Sequence, residues 1–174
     1  MRVAVQGLGH VGYDLARQLR EAGAELVVSD IDEAAVAKAK TELGAKPVPL
    51  DQIYGQEVDV FAPCALGAVL NDETVAQLKA KIVAGSANNQ LAEERHGQAL
   101  ADKGVLYAPD YVINAGGVIH IFHEGPDYDK QAAFGHVGRI AETLSEIYAR
   151  AQKNGEPTHI AADRIAEERF SKAA

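Results

Sequence analysis

The chain has 174 residues, 47% of them hydrophobic, a length and composition that predict one globular domain rather than a disordered segment. Its 17 basic and 25 acidic residues give a net charge of -8, which argues against an electrostatic binder of nucleic acid. One cysteine excludes an internal disulfide and predicts a reducing, cytoplasmic location, and no apolar run reaches the ~18 residues of a membrane span.

Short apolar segments rich in β-branched residues alternate along the chain with segments of helical periodicity. Five strands are predicted, at residues 2–6, 25–29, 58–62, 82–84 and 105–107. Helices are predicted at residues 11–22, 33–43, 72–80, 90–103, 111–124, 129–153 and 158–171. The strand segments lack strict alternation, which indicates burial on both faces, and the helices between them predict right-handed parallel crossovers. The predicted fold class is α/β, a doubly wound, mostly parallel Rossmann sheet with a helical C-terminal tail.

The predicted organisation is a single domain with two parts. Residues 1–125 are expected to form the Rossmann core, and residues 126–174 to form C-terminal helices packed with it. In sheets of this kind, ligands bind beyond the carboxyl ends of the strands. A small, polar or glycine-rich segment follows each of the five predicted strands: GLGHVG, SDID, APCALGA, GSANNQ and APDYVINAGG. Their convergence on one edge indicates a binding site more strongly than any single motif.

The first of these segments has the spacing of a dinucleotide-binding turn. Gly7 permits the tight turn from strand to helix, Gly9 lets a pyrophosphate approach the backbone, and Gly12 lets the helix pack on the strand. The N–H groups at the helix start, with about half a positive charge from the helix dipole, then hold the phosphates. A bare pattern of this kind is often only a structural turn. Here it joins a strand to a helix and an acid ends the next strand, so a dinucleotide site is predicted.

Asp30 is that acid, 18 residues after Gly12. A carboxylate at this position accepts hydrogen bonds from ribose hydroxyls. It would repel a 2′-phosphate by about 4 kcal/mol, taking two unit charges about 4 Å apart at an effective dielectric of about 20. NAD is therefore the predicted cofactor, in preference to NADP. Asp32 adds to this preference only if it faces the pocket, and its alternative role as a helix cap is favoured.

Four further loop residues have two interpretations each. Cys64 is a conceivable nucleophile, but its small apolar neighbours supply neither a base nor a charge, so a wall against a flat ligand is the better interpretation. The amides of Asn88 and Asn89 suit a carboxamide or a ribose, and equally suit hydrogen bonds to their own backbone. Asn114, three residues before Gly117, leaves the same two possibilities open.

Two histidines and a glutamate lie on one predicted helix. His120 and His123 are three residues apart, and Glu124 follows them. Their order is not the H-E-x-x-H of zinc proteases, and no third ligand is evident in the sequence. The expected interpretation is a partly exposed helix face, with no metal site.

Taken together, the loop sequences resemble the cofactor-binding, C-terminal domain of the glutamate/leucine/phenylalanine/valine family of amino-acid dehydrogenases. Within that family, the loops most resemble those of the leucine, valine and phenylalanine enzymes. The motifs that carry the resemblance are VAVQGLGHVG, VVSDID, DVFAPCALGAVLND, VAGSANNQL, YAPDYVINAGGVI and AADRIAEER. The resemblance covers nearly the whole chain and implies NAD-dependent oxidative deamination of an L-amino acid to a 2-oxo acid and ammonia.

The resemblance also implies roles by position. The glycine turn would bind the pyrophosphate, and Asp30 would bind the adenosine ribose. The segment after the third predicted strand and Asn88 would contact the nicotinamide. Asn114 and Val118 would lie on the substrate side. The implied cofactor-binding residues are Gly7, Gly9, His10, Val11, Gly12, Asp30, Ile31, Cys64, Ala65, Leu66, Asn88 and Asn114.

One departure from the family is large. In the family a separate N-terminal domain carries the lysines that bind the substrate and an aspartate that transfers protons, and here Met1 stands one residue before the first predicted strand. No catalytic residue is therefore assigned in this chain. The expectation is a chain that binds NAD(H), is inactive alone, takes an L-amino acid only with the missing domain, and can form a homo-oligomer. The alternatives are a stand-alone or engineered nucleotide-binding domain without catalysis, and a structural domain that binds nothing.

Overall fold

The computed structural model describes the backbone of residues 1–173 and the side chains of residues 1–171. The strands are β1 Arg2–Gln6, β2 Glu25–Ser29, β3 Lys46–Pro47, β4 Val60–Pro63, β5 Ile82–Val83 and β6 Leu106–Tyr107. The helices are α1 His10–Glu21, α2 Glu33–Leu43, α3 Asp72–Gln77, α4 Arg95–Asp102, α5 Asp110–Ile113, α6 Gly116–His123, α7 Lys130–Asn154 and α8 Thr158–Ala173, with a short 3-10 helix at Leu50–Gln52. No helix among the described residues is long and apolar enough to cross a membrane.

The chain folds into two compact units. Met1–Tyr107 forms the first, which contains β1 to β6 and α1 to α4, and the second begins at Ala108 and is built from α5 to α8. The predicted single domain, with a Rossmann core over residues 1–125 and packed C-terminal helices over residues 126–174, stays a prediction.

The six strands of the first unit form one sheet in the order β3-β2-β1-β4-β5-β6, with every neighbouring pair parallel. This confirms the predicted doubly wound α/β class. The chain order reverses between β1 and β4, which is the place where such sheets form a ligand-binding crevice. The register aligns Gln6 with both Ser29 and Pro63, so three strands end at the same level and their loops start side by side.

Burial on both faces of the sheet follows from the apolar strand sequences. On β1, Val3 and Val5 pack into one hydrophobic cluster, and Ala4 between them packs into another on the opposite face. The alternation of side chains along a strand places them there. On β4, Phe61 and Ala62 divide between the two clusters in the same way. The absence of polar alternation in these strands therefore reflects two covered faces.

Several element boundaries differ from the predictions. β3 was not predicted, because two residues are too few for a periodic pattern to show. α3 ends at Gln77 rather than at residue 80, because Leu78 adopts an extended conformation and is buried. α4 begins at Arg95 rather than at residue 90, because buried Gln90 belongs to the preceding loop.

The predicted helix over residues 111–124 is in fact two helices. α5 ends at Ile113 and α6 begins at Gly116, with Asn114 as the C-cap of the first and Ala115 as the N-cap of the second. Gly116 and Gly117 weaken helix propagation at this point, because glycine pays the largest backbone entropy in a helix. Helical periodicity in the sequence does not reveal such a break.

Gly85 is a position outside the glycine turn where we expect a side chain to disrupt the first unit. A Cβ there would lie 2.2 Å from the carbonyl oxygen and 2.5 Å from the nitrogen of Pro63, both backbone atoms. Gly85→Ala should therefore destabilise the fold by at least the ~1–3 kcal/mol of an overpacked core. In Gly138→Ala, the matched control inside α7, the new Cβ meets nothing within 4 Å. That change should stabilise by about 0.5–1 kcal/mol. Urea unfolding followed by circular dichroism checks both signs, and equal midpoints for the two variants would contradict this account.

Candidate nucleotide-binding site

The first loop, residues 7–9, joins β1 to α1 in a turn that excludes side chains. Gly7 has a φ of +96° and donates its N–H to the carbonyl of Ser29 at 2.8 Å. A Cβ on Gly7 would lie 2.8 Å from the Cβ of Ala65, and a Cβ on Gly12 would lie 2.1 Å from the carbonyl oxygen of Gly7. The roles predicted for Gly7 as a turn residue and for Gly12 as a packing contact are confirmed.

Gly9 differs from these two because the space beside it is open. A Cβ on Gly9 would meet no atom within 4 Å. Gly9 is the N-cap of the twelve-residue helix α1, no side chain caps the first turn, and no acidic residue lies in it. The backbone N–H groups of that turn and the positive end of the helix dipole are thus available to an anion.

Asp30 ties the first loop to the loop after β2. Its carboxylate accepts a hydrogen bond from the N–H of Leu8, and its other oxygen accepts one from the N–H of Asp32 at 2.8 Å. Asp32 itself accepts from the N–H of Ala34 at 2.9 Å and is the N-cap of α2. The helix-cap interpretation of Asp32 is confirmed, and the half-buried carboxylate of Asp30 lies at the start of the open glycine turn.

The loops after β4 and β5 contact each other through their backbones. A Cβ on Gly67 would lie 2.7 Å from the carbonyl oxygen of Asn88, and the N–H of Ala68 donates to the carbonyl of Asn89 at 2.7 Å. Ala68 and Asn89 both adopt left-handed backbone conformations, with φ of 57° and 51°. This pairing holds the exposed Asn88 beside Gly67, which directly follows residues 64–66.

A glutamine that the sequence analysis did not single out organises the loop after β5. Gln90 is fully buried, and its side-chain amide donates to the carbonyls of Gly85 and Ala87 at 2.8 and 2.9 Å. The N–H of Ala87 in turn donates to the carbonyl of Pro63 at 2.9 Å. The position of the neighbouring Asn88 therefore depends on Gln90, whose only sequence signal is a polar residue inside a loop of small ones.

Large aliphatic side chains are exposed in these loops. Val11, Ile31 and Leu66 are 63, 86 and 80% exposed, and they stand in or next to the first, second and third loops. His10 and Ala65 are exposed as well. Ligand sites are lined mainly by apolar groups with a few polar ones among them, and this composition is present here.

The contacts of Cys64 are those of a residue that packs between secondary-structure elements. Its N–H donates to the carbonyl of Gln6 at 2.7 Å, which continues the pairing of β1 with β4. A Cβ on Gly12 would lie 3.1 Å from the Cβ of Cys64, so the cysteine packs where α1 crosses the sheet. These contacts support the interpretation of Cys64 as a wall residue rather than a nucleophile.

Two predicted residues belong to the second unit. Asn114 is the C-cap of α5 and donates its N–H to the carbonyl of Asp110 at 2.9 Å. Val118, in the first turn of α6, is 72% exposed. Asn114 and Val118, which were predicted to lie on one helix, are therefore separated by the break between α5 and α6.

A charged network joins the starts of α3 and α4 behind the third and fourth loops. The guanidinium of Arg95 donates to both carboxylate oxygens of Asp72, at 2.6 and 2.7 Å, and also to Glu93. These hydrogen bonds and the charge of Arg95 hold the pKa of Asp72 at about 2, below its usual 3.8, with a smaller contribution from His96. The bidentate geometry favours the charged form of Asp72.

Removal of Arg95 should return the pKa of Asp72 towards 3.8. A carboxyl whose pKa is lowered on folding contributes stability above its unfolded pKa, and this contribution disappears as the pH falls through its folded pKa. Wild type should therefore be more stable than Arg95→Gln at about pH 5, and this difference should shrink towards about pH 2. NMR titration of the carboxyl carbons measures the pKa directly.

Arg17→Gln is the control for that titration, because Arg17 pairs with Asp14 on α1 at 2.6 Å and not with Asp72. It should leave the titration of Asp72 unchanged. A pKa of Asp72 that stays near 2 in Arg95→Gln would show that another group lowers it.

Comparisons of the sequence and of the fold with known proteins match the same family. The sequence profile described as Glutamate/Leucine/Phenylalanine/Valine dehydrogenase matches residues 29–173. Leucine dehydrogenase of Geobacillus stearothermophilus is 52% identical, over 97% of this chain and 46% of that protein. Phenylalanine dehydrogenase of Bacillus thermotolerans is 48% identical, over 96% of this chain and 45% of that protein. The crystal structure of L-tryptophan dehydrogenase from Nostoc punctiforme has a TM-score of 0.96 and 49% identity, over 99% of this chain and 52% of that one.

The chain spans about half the length of the relatives it matches. The profile match covers most of the chain, including the loops after β4, β5 and β6. The resemblance inferred from the loop motifs is thereby confirmed: the chain belongs to the glutamate/leucine/phenylalanine/valine dehydrogenase family.

Proposed function

We propose that this chain is the NAD-binding part of an NAD-dependent dehydrogenase that oxidatively deaminates an L-amino acid to a 2-oxo acid. The observation that carries the proposal is the uncapped start of α1 at Gly9, with the carboxylate of Asp30 tied beside it. An anion and a hydroxyl-bearing sugar are the two groups that such a pair recognises.

The residues present suit the parts of a dinucleotide. The open position at Gly9 and the first-turn N–H groups of α1 suit the pyrophosphate. The exposed side chain of Ile31, directly after Asp30, offers an apolar surface to the adenine. Leu66 and Asn88, on the paired loops after β4 and β5, offer an apolar and a polar group to the nicotinamide side.

Asp30 gives the proposed preference for NAD over NADP. Each of its oxygens already accepts one backbone N–H, and an ionised carboxylate has about four acceptor positions, so ribose hydroxyls can still bind. The 2′-phosphate of NADP would place a second negative charge there, at a cost of about 4 kcal/mol at an effective dielectric of about 20. A bound NAD supplies the acceptor for the hydride, and this chain's residues orient it.

Deamination of an amino acid also requires groups that bind the substrate and transfer protons, in addition to the cofactor-binding residues. Lys79 and Lys81 pair with Glu57 and Asp59 at the amino edge of the sheet, opposite the site. Lys103 donates to the backbone carbonyls of α3. We propose that the lysines and the proton-transfer group lie in a separate substrate-binding part, as the family resemblance implies. Hydride transfer needs both reactants held in near-attack geometry.

The choice of amino acid is proposed to depend on that other part. Three relatives at 48 to 52% identity are named for leucine, phenylalanine and tryptophan, although they match this chain to a similar extent. Within this chain, Asn114 and Val118 are the proposed substrate-side residues, and Val118 offers only one apolar wall.

The proposed partner surface lies on the second unit. Exposed apolar side chains stand on α6, α7 and α8: Val118, Ile121, Phe122, Phe134, Val137 and Phe170. Patches of this kind are typical of surfaces covered in an assembly. We propose that the substrate-binding part and further subunits cover them, and that the protein works in the cytoplasm, where its single cysteine stays reduced.

The cofactor proposal is tested with two asparagine variants that each remove one negative charge from the same edge. Asp30→Asn should weaken NAD binding and lower the preference for NAD over NADP at least tenfold, because the like-charge repulsion is lost. Asp32→Asn should leave the preference unchanged, since asparagine caps a helix as well as aspartate does. Isothermal titration with NAD and NADP measures both ratios. Equal preference in wild type and Asp30→Asn would contradict the role of Asp30.

If this chain binds the cofactor and a separate part binds the substrate, purified residues 1–174 should bind NAD without appreciable deamination. Binding should raise the melting temperature with NAD concentration, because the ligand stabilises only the folded state. Absorbance of NADH in the presence of L-leucine, L-phenylalanine or L-tryptophan should stay at the level without enzyme. Rapid NADH formation would overturn the separate substrate-binding part. A chain that prefers S-adenosylmethionine to NAD would support a nucleotide-binding domain of another kind.

A further inference from the structure

Two histidines from different helices face each other in the second unit. His123, the last residue of α6, places its Nε2 3.1 Å from the Nδ1 of His136 on α7. The two rings are 5.4 Å apart and nearly perpendicular, at 82°. The ring of Phe122 stands edge-on to both, at 5.2 Å from His123 and 5.9 Å from His136. Both imidazoles are half-buried, so neighbouring rings restrain their orientation.

The separation of the two nitrogen atoms suits a shared metal ion. Two histidine ligands about 2.0–2.1 Å from a tetrahedral zinc ion lie about 3.3 Å from each other, and neighbouring ligands of an octahedral ion at similar distances lie about 3 Å apart. The observed 3.1 Å falls between these values. Both lone pairs would reach one ion if each ring rotated away from the line that joins the two nitrogen atoms.

We propose that His123 and His136 chelate a divalent transition-metal ion between α6 and α7. The described residues contain no group of three or more His, Cys, Asp and Glu side chains arranged for a metal, so water completes the coordination. Imidazole nitrogen suits zinc, copper and nickel, whereas magnesium and calcium require oxygen ligands. Affinity should therefore follow the order copper above nickel, with no binding of magnesium.

Arg139 places a positive charge near His136. A neutral imidazole keeps a lone pair for the ion. The same positive charge of Arg139 opposes a cation, so we expect moderate affinity.

An ion at this position would join α6 to α7. α6 also carries Val118, which the family resemblance places on the substrate side. The proposed metal therefore restrains the helix that presents Val118. In the alternative, one ring donates a hydrogen bond to the other and no metal takes part.

The test uses the chain without a histidine tag, titrated with Ni²⁺ and with Mg²⁺ by calorimetry. Wild type should bind one Ni²⁺ ion and no Mg²⁺, and Ni²⁺ should raise the melting temperature with concentration. His123→Gln and His136→Gln should each lose at least tenfold in affinity. His120→Gln is the matched control: His120 lies one turn earlier on α6 and contacts Tyr128, at 5.7 Å between rings, so this variant should bind as wild type.

Electron paramagnetic resonance of bound Cu²⁺ is the second measurement. Wild type and His120→Gln should show hyperfine coupling to two imidazole nitrogens, and each of the other variants should show one. Circular dichroism without metal establishes that all variants fold. Unchanged affinity in His123→Gln or His136→Gln, equal loss in His120→Gln, or no binding to wild type would each overturn the proposal. None of these readings requires NAD, so failure of the cofactor proposal would be seen separately.

Discussion

The contact between the start of α1 and the end of β1 is the constraint on which the site depends. A side chain on Gly12 would stand 2.1 Å from the carbonyl oxygen of Gly7, and a side chain on Gly7 would collide with Ala65 on the loop after β4. α1 can cross the sheet so closely only because both positions lack a Cβ. This approach directs the positive end of the α1 dipole to the point where the strand order reverses between β1 and β4.

Short polar links connect the remaining loops to this contact. Asp30 connects the first two loops through the N–H groups of Leu8 and Asp32. Gln90 braces the loop after β5, and Arg95 with Asp72 joins the helices behind it. Each link satisfies backbone or charged groups that would otherwise need water. The loops can consequently remain exposed on the side of the proposed nucleotide site.

In the second unit, the break between α5 and α6 starts a new helix that carries both the exposed Val118 and the histidine His123. α6 begins anew at Gly116, after α5 has ended at Ile113. One part of α6 exposes Val118, and its last turn sets His123 against His136. The proposed pyrophosphate and ribose contacts lie in the first unit's loops, and the proposed metal site lies between helices of the second unit, so the two proposals can be tested separately.

The sequence by itself determined what depends on near neighbours in the chain. Strand composition predicted the parallel class, the spacing of glycines predicted the turn at Gly7, and Asp32 was recognised as a helix cap. Family membership followed from contiguous loop motifs. Only the tertiary structure decided what depends on distant segments: the close approach of Gly85 to the backbone of Pro63, the hydrogen bonds from buried Gln90, and the meeting of His123 with His136. The physical reason is that helix periodicity and capping arise within a few residues, whereas steric contact and hydrogen bonding between loops depend on strand register and helix packing that no local pattern encodes.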